Sequence, residues 1–214
     1  MMRNFLLIFL SILLASCAPS KISVQNNTLL SERMPELKII INDPELTFCC
    51  ENTSTRFLKY EDAAGGTSIE NQVFVFAHIK NKYVKRAVYV WISKSSKGAW
   101  LSDIYSNVKF KIDHGVKRIG NTIYQYCTFF YDNPLRDLKD AVYANGYLLD
   151  GVYLNQSVGL LFGPNNNGKY HVDYIESVSE MHEQWDKPDL YNQAQREKIK
   201  KFKETANSVF IINY

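Results

Sequence analysis

The run Thr122-Ile123-Tyr124-Gln125-Tyr126-Cys127-Thr128-Phe129-Phe130-Tyr131 constrains this chain most, because nearly every residue in it is β-branched or aromatic. Such side chains crowd the preceding turn of a helix but stand freely on a pleated sheet. With the turn signal Gly120-Asn121 before it, the run predicts a central strand. Val73–Ile79 and Ala87–Ile92 have the same character and flank the polar stretch Lys80–Arg86, which suits a hairpin or meander. Over 104–112, Val108, Phe110 and Ile112 share one face against Lys109 and Lys111, the pattern of a half-exposed strand. Leu37–Ile41 reads as the first strand, Asn42-Asp43-Pro44 as a turn and Leu46–Cys50 as a second apolar run; residues 51–69 are polar, with a loop at Asp62–Thr67. Leu148-Leu149 and Val158–Phe162 resume the strand pattern, and Gly163–Gly168 connects tightly into Tyr170–Ile175.

Two segments change period. Leu135, Leu138 and Val142 recur at helical spacing, with Pro134 at the first helical position and Asn145-Gly146 at the end. From Leu190 to Ala206 a clearer helix turns Leu190, Ala194, Ile199, Phe202 and Ala206 inward and Lys198, Lys200, Lys201 and Lys203 outward. Between them the pattern is mixed: His171, Asp173 and Ile175 alternate, whereas Tyr174, Val178, Met181 and Trp185 fit a helix, so a strand giving way to a helix is expected. The tail Val209–Tyr214 is apolar enough to pair or bury. The fold class expected is α+β, an antiparallel sheet of six or more strands with the C-terminal helix packed on it.

The N-terminus carries an address. Arg3 precedes the apolar run Phe5–Leu14, too short to cross a bilayer, and Ala15-Ser16-Cys17 follows. Leu14-Ala15-Ser16-Cys17 resembles the lipobox of bacterial lipoproteins. That resemblance implies cleavage after Ser16 and a diacylglyceryl thioether on Cys17, a membrane partner held through acyl chains. It also implies the outer membrane in a two-membrane source, since residue 18 is Ala and not the retaining Asp. The expected organisation is a signal peptide at 1–16, a lipidated N-terminus and flexible tether at 17–36, and one globular domain at 37–214.

Charge is nearly balanced, with formal net charge +3, and recruits no nucleic acid. The mature chain's other thiols are Cys49, Cys50 and Cys127. Export permits oxidation, and a bridge from Cys49 or Cys50 to Cys127 is the expected pairing, with three reduced thiols as the alternative. No nucleophile elbow, phosphate loop, paired-Cys zinc site or calcium loop occurs, and nothing calls for a cofactor or a metal.

The best constellation is His171, Asp173, Glu176, His182 and Glu183. His171 and Asp173 on one strand face could orient a base or hold an ion, yet solvated positions opposite a buried face explain them more simply. Asp113-His114 before Gly115 and the Asn165-Asn166-Asn167-Gly168 stretch read as turns. Three functions stay open. The first is a non-enzymatic envelope module presenting a sheet face or edge to envelope proteins. The second is a tethered hydrolase using His171 and a nearby carboxylate, and the third is a small-ligand carrier. A pocket holding His171 or His182 beside an acid would favour the enzyme, a flat apolar patch the module, and an enclosed apolar cavity the carrier.

Overall fold

The computed structural model describes residues 22–32, 35–59, 65–97, 100, 103–132, 134–181 and 183–213. Cys17, the signal segment, His182 and Tyr214 lie outside the described residues. Eleven strands are described: β1 (Ile22–Gln25), β2 (Thr28–Ser31), β3 (Leu37–Ile41), β4 (Thr47–Lys59), β5 (Gly66–Lys80), β6 (Tyr83–Ser95), β7 (Lys111–Ile119), β8 (Thr122–Tyr131), β9 (Tyr153–Phe162), β10 (Gly168–Ser177) and β11 (Phe210–Asn213). The helices are α1 (Arg136–Ala144) and α2 (Gln193–Ala206). Broadly this is the α+β class, with strands dominant and the helices small.

The strands make two antiparallel sheets. One has seven strands in the order β4-β5-β6-β10-β9-β8-β7, and the other has four in the order β1-β2-β3-β11. Tight turns join β5 to β6 and β7 to β8, and Asn81-Lys82 between β5 and β6 adopts φ of 52° and 70°, the left-handed geometry such hairpins require. β10 is the middle strand, because its other face of hydrogen bonds goes to β6, seventy-odd residues earlier in the chain. The strand expected at the centre, β8, sits one place in from the edge.

Both faces of the large sheet are covered. On one face, Phe74, Phe76, Val88, Val90, Val172 and Tyr174 form a core with Leu29, Ile39 and Ile41 of the small sheet and with Ile199 and Phe202 of α2. Each large apolar side chain withdrawn from water there contributes about 2 kcal/mol. α2 starts cleanly because Asn192 and Gln195 cap it reciprocally, side chain to backbone, at 2.9 Å in both directions. On the opposite face, Leu138, Ala141 and Val142 of α1 pack against Val73, Val75, Ala87 and Tyr153. α1 is pinned by its buried Asp137, which accepts from Arg56, from Ser54 at 2.9 Å and from Asn71 at 3.4 Å.

Several expectations need correction. Residues 22–31, assigned to a flexible tether, form the hairpin β1-β2, turned by Asn26 and Asn27 at φ of 47° and 55°, and Leu29 is fully buried. Most of 51–69 is strand, since β4 runs to Lys59 and β5 begins at Gly66. The stretch 104–110 is not a strand but a series of turns. Among the described residues between β10 and α2 there is no α-helix, only the 3₁₀ turns Ser179–Met181 and Pro188–Leu190. Leu190 and Ala194, expected inward, are exposed.

Candidate functional site

The row of residues across the middle of the large sheet builds the site. Register aligns Val75, Tyr89, Asp173, Ser157, Cys127 and His114 on one face, and the next row holds Val73, Trp91, His171, Gly159 and Gln125. α1 covers the β4 and β5 side of this face. Over β6, β10, β9 and β8 lies instead the turn segment 103–110, and a cavity of about 410 Å³ remains beneath it. That size falls within the range of small-molecule sites. Aromatic walls (Tyr89, Trp91, Tyr105, Phe129 and Tyr131) surround a polar floor of Asn155, Ser157, His171 and Asp173, with Lys169 at one end.

The covering segment is held by its own turns and by the sheet. Asp103 Oδ1 accepts from Tyr105 N at 2.9 Å, Gln125 Oε1 accepts from Ile104 N at 3.1 Å, and Tyr105 OH donates to Ser157 Oγ at 2.8 Å. Gly159 makes this approach possible. A Cβ there would stand 2.4 Å from Ile104 Cδ1 and 2.9 Å from the Tyr105 hydroxyl.

Asp173 is 2% exposed, Asn155 1% and His171 8%. Burial at this depth is costly for polar groups that find no partner. Yet Asp173 Oδ2, Asn155 Oδ1, His171 Nε2 and Tyr131 OH, all lining the cavity, are buried without a hydrogen-bond partner. Asn155 is anchored through its other end, Nδ2 donating to Tyr89 OH at 3.0 Å. His171 stacks on Trp91 with ring centroids 5.3 Å apart and turns Nδ1 toward Asp173 Oδ2 at 3.7 Å.

Burial disfavours the charged form of both groups of this pair. Burial pushes the Asp173 carboxyl up to about 7; Ser157, Asn155, Tyr89 and Lys169 hold back part of the rise, although none closes a hydrogen bond onto Oδ2. Burial, with Lys169 adding repulsion, lowers His171 to about 3. The pair is therefore not a salt bridge at neutral pH. Lys169 Nζ lies 3.9 Å from the Trp100 ring centroid and 5.8 Å from that of Trp91, and burial lowers its pKa.

Of the constellation read from sequence, His171 and Asp173 come together, buried and not solvated as expected. Glu176 points to the opposite face, where it accepts from Lys198 and from Tyr174 OH. Glu183 is exposed. Asp113 and His114 belong to β7 and not to a turn, and Asp113 pairs with Lys203. Asn165 and Asn166 do adopt left-handed turn geometry, at φ of 54° each. Among the described residues no three His, Cys, Asp or Glu side chains gather as a metal site.

The expected long disulfide is not formed. Cys49, Cys50 and Cys127 are free, and five strand spacings, roughly 24 Å, separate β4 from β8. A bulge between Phe48 and Cys50 brings Cys49 Sγ within 3.3 Å of Cys50 Sγ, and Cys127 is fully buried with its thiol pushed up to about 12. Sequence reasoning missed Asn155, Tyr131 and the cover at 103–110. The one available signal was Ser and Asn at alternate positions of an otherwise apolar strand, Asn155 and Ser157. No family model, curated protein or solved structure matches this chain.

Proposed function

We propose that this chain is a lipid-anchored envelope protein that binds a small molecule in the cavity between the large sheet and segment 103–110. The observation that carries the reading is the set of four buried polar atoms lining that cavity without partners, on Asp173, Asn155, His171 and Tyr131. Each costs on the order of 1–3 kcal/mol if it stays unpaired, so the free energy favours an occupant of the cavity that supplies the missing bonds. Aromatic walls would take up the ligand's apolar body. Anchoring rests on Leu14-Ala15-Ser16-Cys17 and the signal ahead of it. A module presenting a sheet face fits less well, because both faces of the large sheet are packed over its middle and only the edges β4 and β7 remain.

The enzyme reading has one observation in its favour, since Asp173 titrating near 7 is poised for general acid or base work. His171, lowered to about 3, is too weak a base at neutral pH to serve as the hydrolase reading needs. The nearby Ser157 hydroxyl accepts from Tyr105 and faces Asp173 rather than a basic imidazole, and the Cys127 thiol is raised by burial. Binding is therefore the better account.

Two experiments test the two halves. Cys17→Ser is expected to abolish acyl labelling and membrane partition; labelling unchanged in that variant refutes the anchor. For the cavity, a panel of small metabolites is screened by thermal shift against the full chain in detergent and against Val108→Trp, which fills the mouth from the cover. Compounds that raise the melting temperature of the first by several degrees and leave the second unmoved are expected. A panel that shifts neither, or both equally, contradicts a ligand site here.

A further inference from the structure

Two of the four unpartnered atoms are acceptors at pH 8. Asn155 Oδ1 is so by its chemistry, and Asp173 Oδ2 once its carboxyl is ionised. His171 Nε2, the third, gives or takes according to the tautomer of the neutral ring. The fourth, the Tyr131 hydroxyl, can give or take. These acceptors call for an occupant that brings donors.

We infer that the cavity takes a small organic cation, a primary amine with an apolar body, whose ammonium group meets Asp173 and Asn155. The inference rests on the ligand-binding reading above and names its ligand class. A neutral polyol would also offer donors, but one of these acceptors is a carboxylate, and no Lys or Arg lies within ion-pair distance of it among the described residues. Of the two lysines that line the cavity, Lys109 sits on the cover, and Lys169 is four residues along β10 from Asp173, about 13 Å at the backbone, and is held on the rings of Trp100 and Trp91. Around Asp173 the walls are Tyr89, Tyr105, Phe129 and Tyr131, whose ring faces favour a desolvated cation. An ammonium donating to Oδ2 and Oδ1 would satisfy both acceptors at once.

Binding of such a cation selects the ionised carboxylate, and so depends on pH. The groups that face Asp173 are His171 and Lys169 on its own strand, Tyr89 on β6, Tyr131 and Cys127 on β8, and Tyr105 on the cover. The tyrosines and Cys127 are pushed upward by burial and stay neutral through pH 8, and His171 is neutral above pH 5. Asp173 alone changes charge between pH 6 and 8 among them, apart from whatever fraction of Lys169 the burial releases.

The test compares three probes with one apolar body: 2-phenylethylamine, 2-phenylethanol and 3-phenylpropanoate, titrated by calorimetry into the full chain in detergent. The amine is expected to bind at least tenfold tighter than the other two at pH 8 and to weaken about tenfold on going to pH 6, following the ionised fraction of Asp173. Asp173→Asn keeps the shape and should cost the amine tenfold or more and the alcohol far less. A preference for the alcohol or the acid, or an amine affinity flat between pH 6 and 8, overturns the cation and leaves the ligand-binding reading standing. Silence from all three probes also overturns it, while compounds of another class that shift the wild type and not Val108→Trp still support a ligand site.

Discussion

At the scale of residues, Asp173 and His171 make opposite demands on pH. Asp173 titrates near 7 in the fold against 3.8 ordinarily, so the fold holds its proton; this contribution to stability is complete below pH 3.8 and is lost as pH rises toward 7. His171 titrates near 3 against 6.5, so the fold prefers it neutral; its contribution is complete above pH 6.5 and is lost as pH falls toward 3. At pH 8 the histidine is at ease and the aspartate is not. Replacing Asp173 by Asn is therefore expected to stabilise the ligand-free protein at pH 8 by about 4 kcal/mol, a gain that falls to about 2 kcal/mol at pH 5 and vanishes only below pH 3.8. Urea unfolding of both proteins at the two pH values measures it, and a difference independent of pH would show that the carboxylate is not strained by burial. The same two residues mark the limit of the sequence reading. Their alternation on one strand face was legible, but the solvation assumed for that face was not correct. Whether a face is wet depends on what packs over it, here α1 and the turns at 103–110, and no local pattern around residue 171 records that.

At the scale of elements, legibility followed the strength of the local signal. The hairpins β5-β6 and β9-β10 and the helix α2 were visible, because period and turn chemistry agreed in each, and of the two outcomes open for the tail it pairs as β11. The failures have physical causes. β1 and β2 are polar on their outer positions and rest on the small sheet through few side chains, above all Leu29, so their composition resembles a linker. β4 continues through Glu51–Arg56, because an edge strand may be polar on both sides and still pair along its inner edge with β5. Segment 104–110 has alternating character without a neighbouring strand to pair with, and it folds back as a cover because Gly159 leaves room for Ile104 and Tyr105. The order of strands was beyond reach: β10 reaches β6 across a long stretch of sequence, and only that pairing puts Tyr89, Trp91, His171 and Asp173 side by side. The candidate site is a product of that non-local pairing, which explains why two of its residues were noticed and the rest were not.

At the scale of the whole molecule, the revised start of the domain changes what an anchor on Cys17 would mean. With β1 beginning at Ile22, a chain attached at Cys17 has no more than about 18 Å of extended backbone before the fold begins, so the small sheet would sit close to the membrane surface. The cavity lies on the opposite face of the large sheet from the small sheet, which on this reading would turn it away from the lipid. Distant parts of the chain cooperate to make it: β6 and β10 supply the walls and floor, β8 and β9 the far side, residues 103–110 the cover, and the second sheet and α2 brace the reverse face. What they achieve together is one carboxylate removed from water and left without a cation, ready for a ligand to complete. The ¹³C titration of the Asp173 carboxyl in the folded full chain tests this most directly. The account predicts a midpoint near pH 7 in the free protein that moves well down when 2-phenylethylamine is bound, whereas a midpoint near 4 in the free protein, unmoved by the amine, would contradict it.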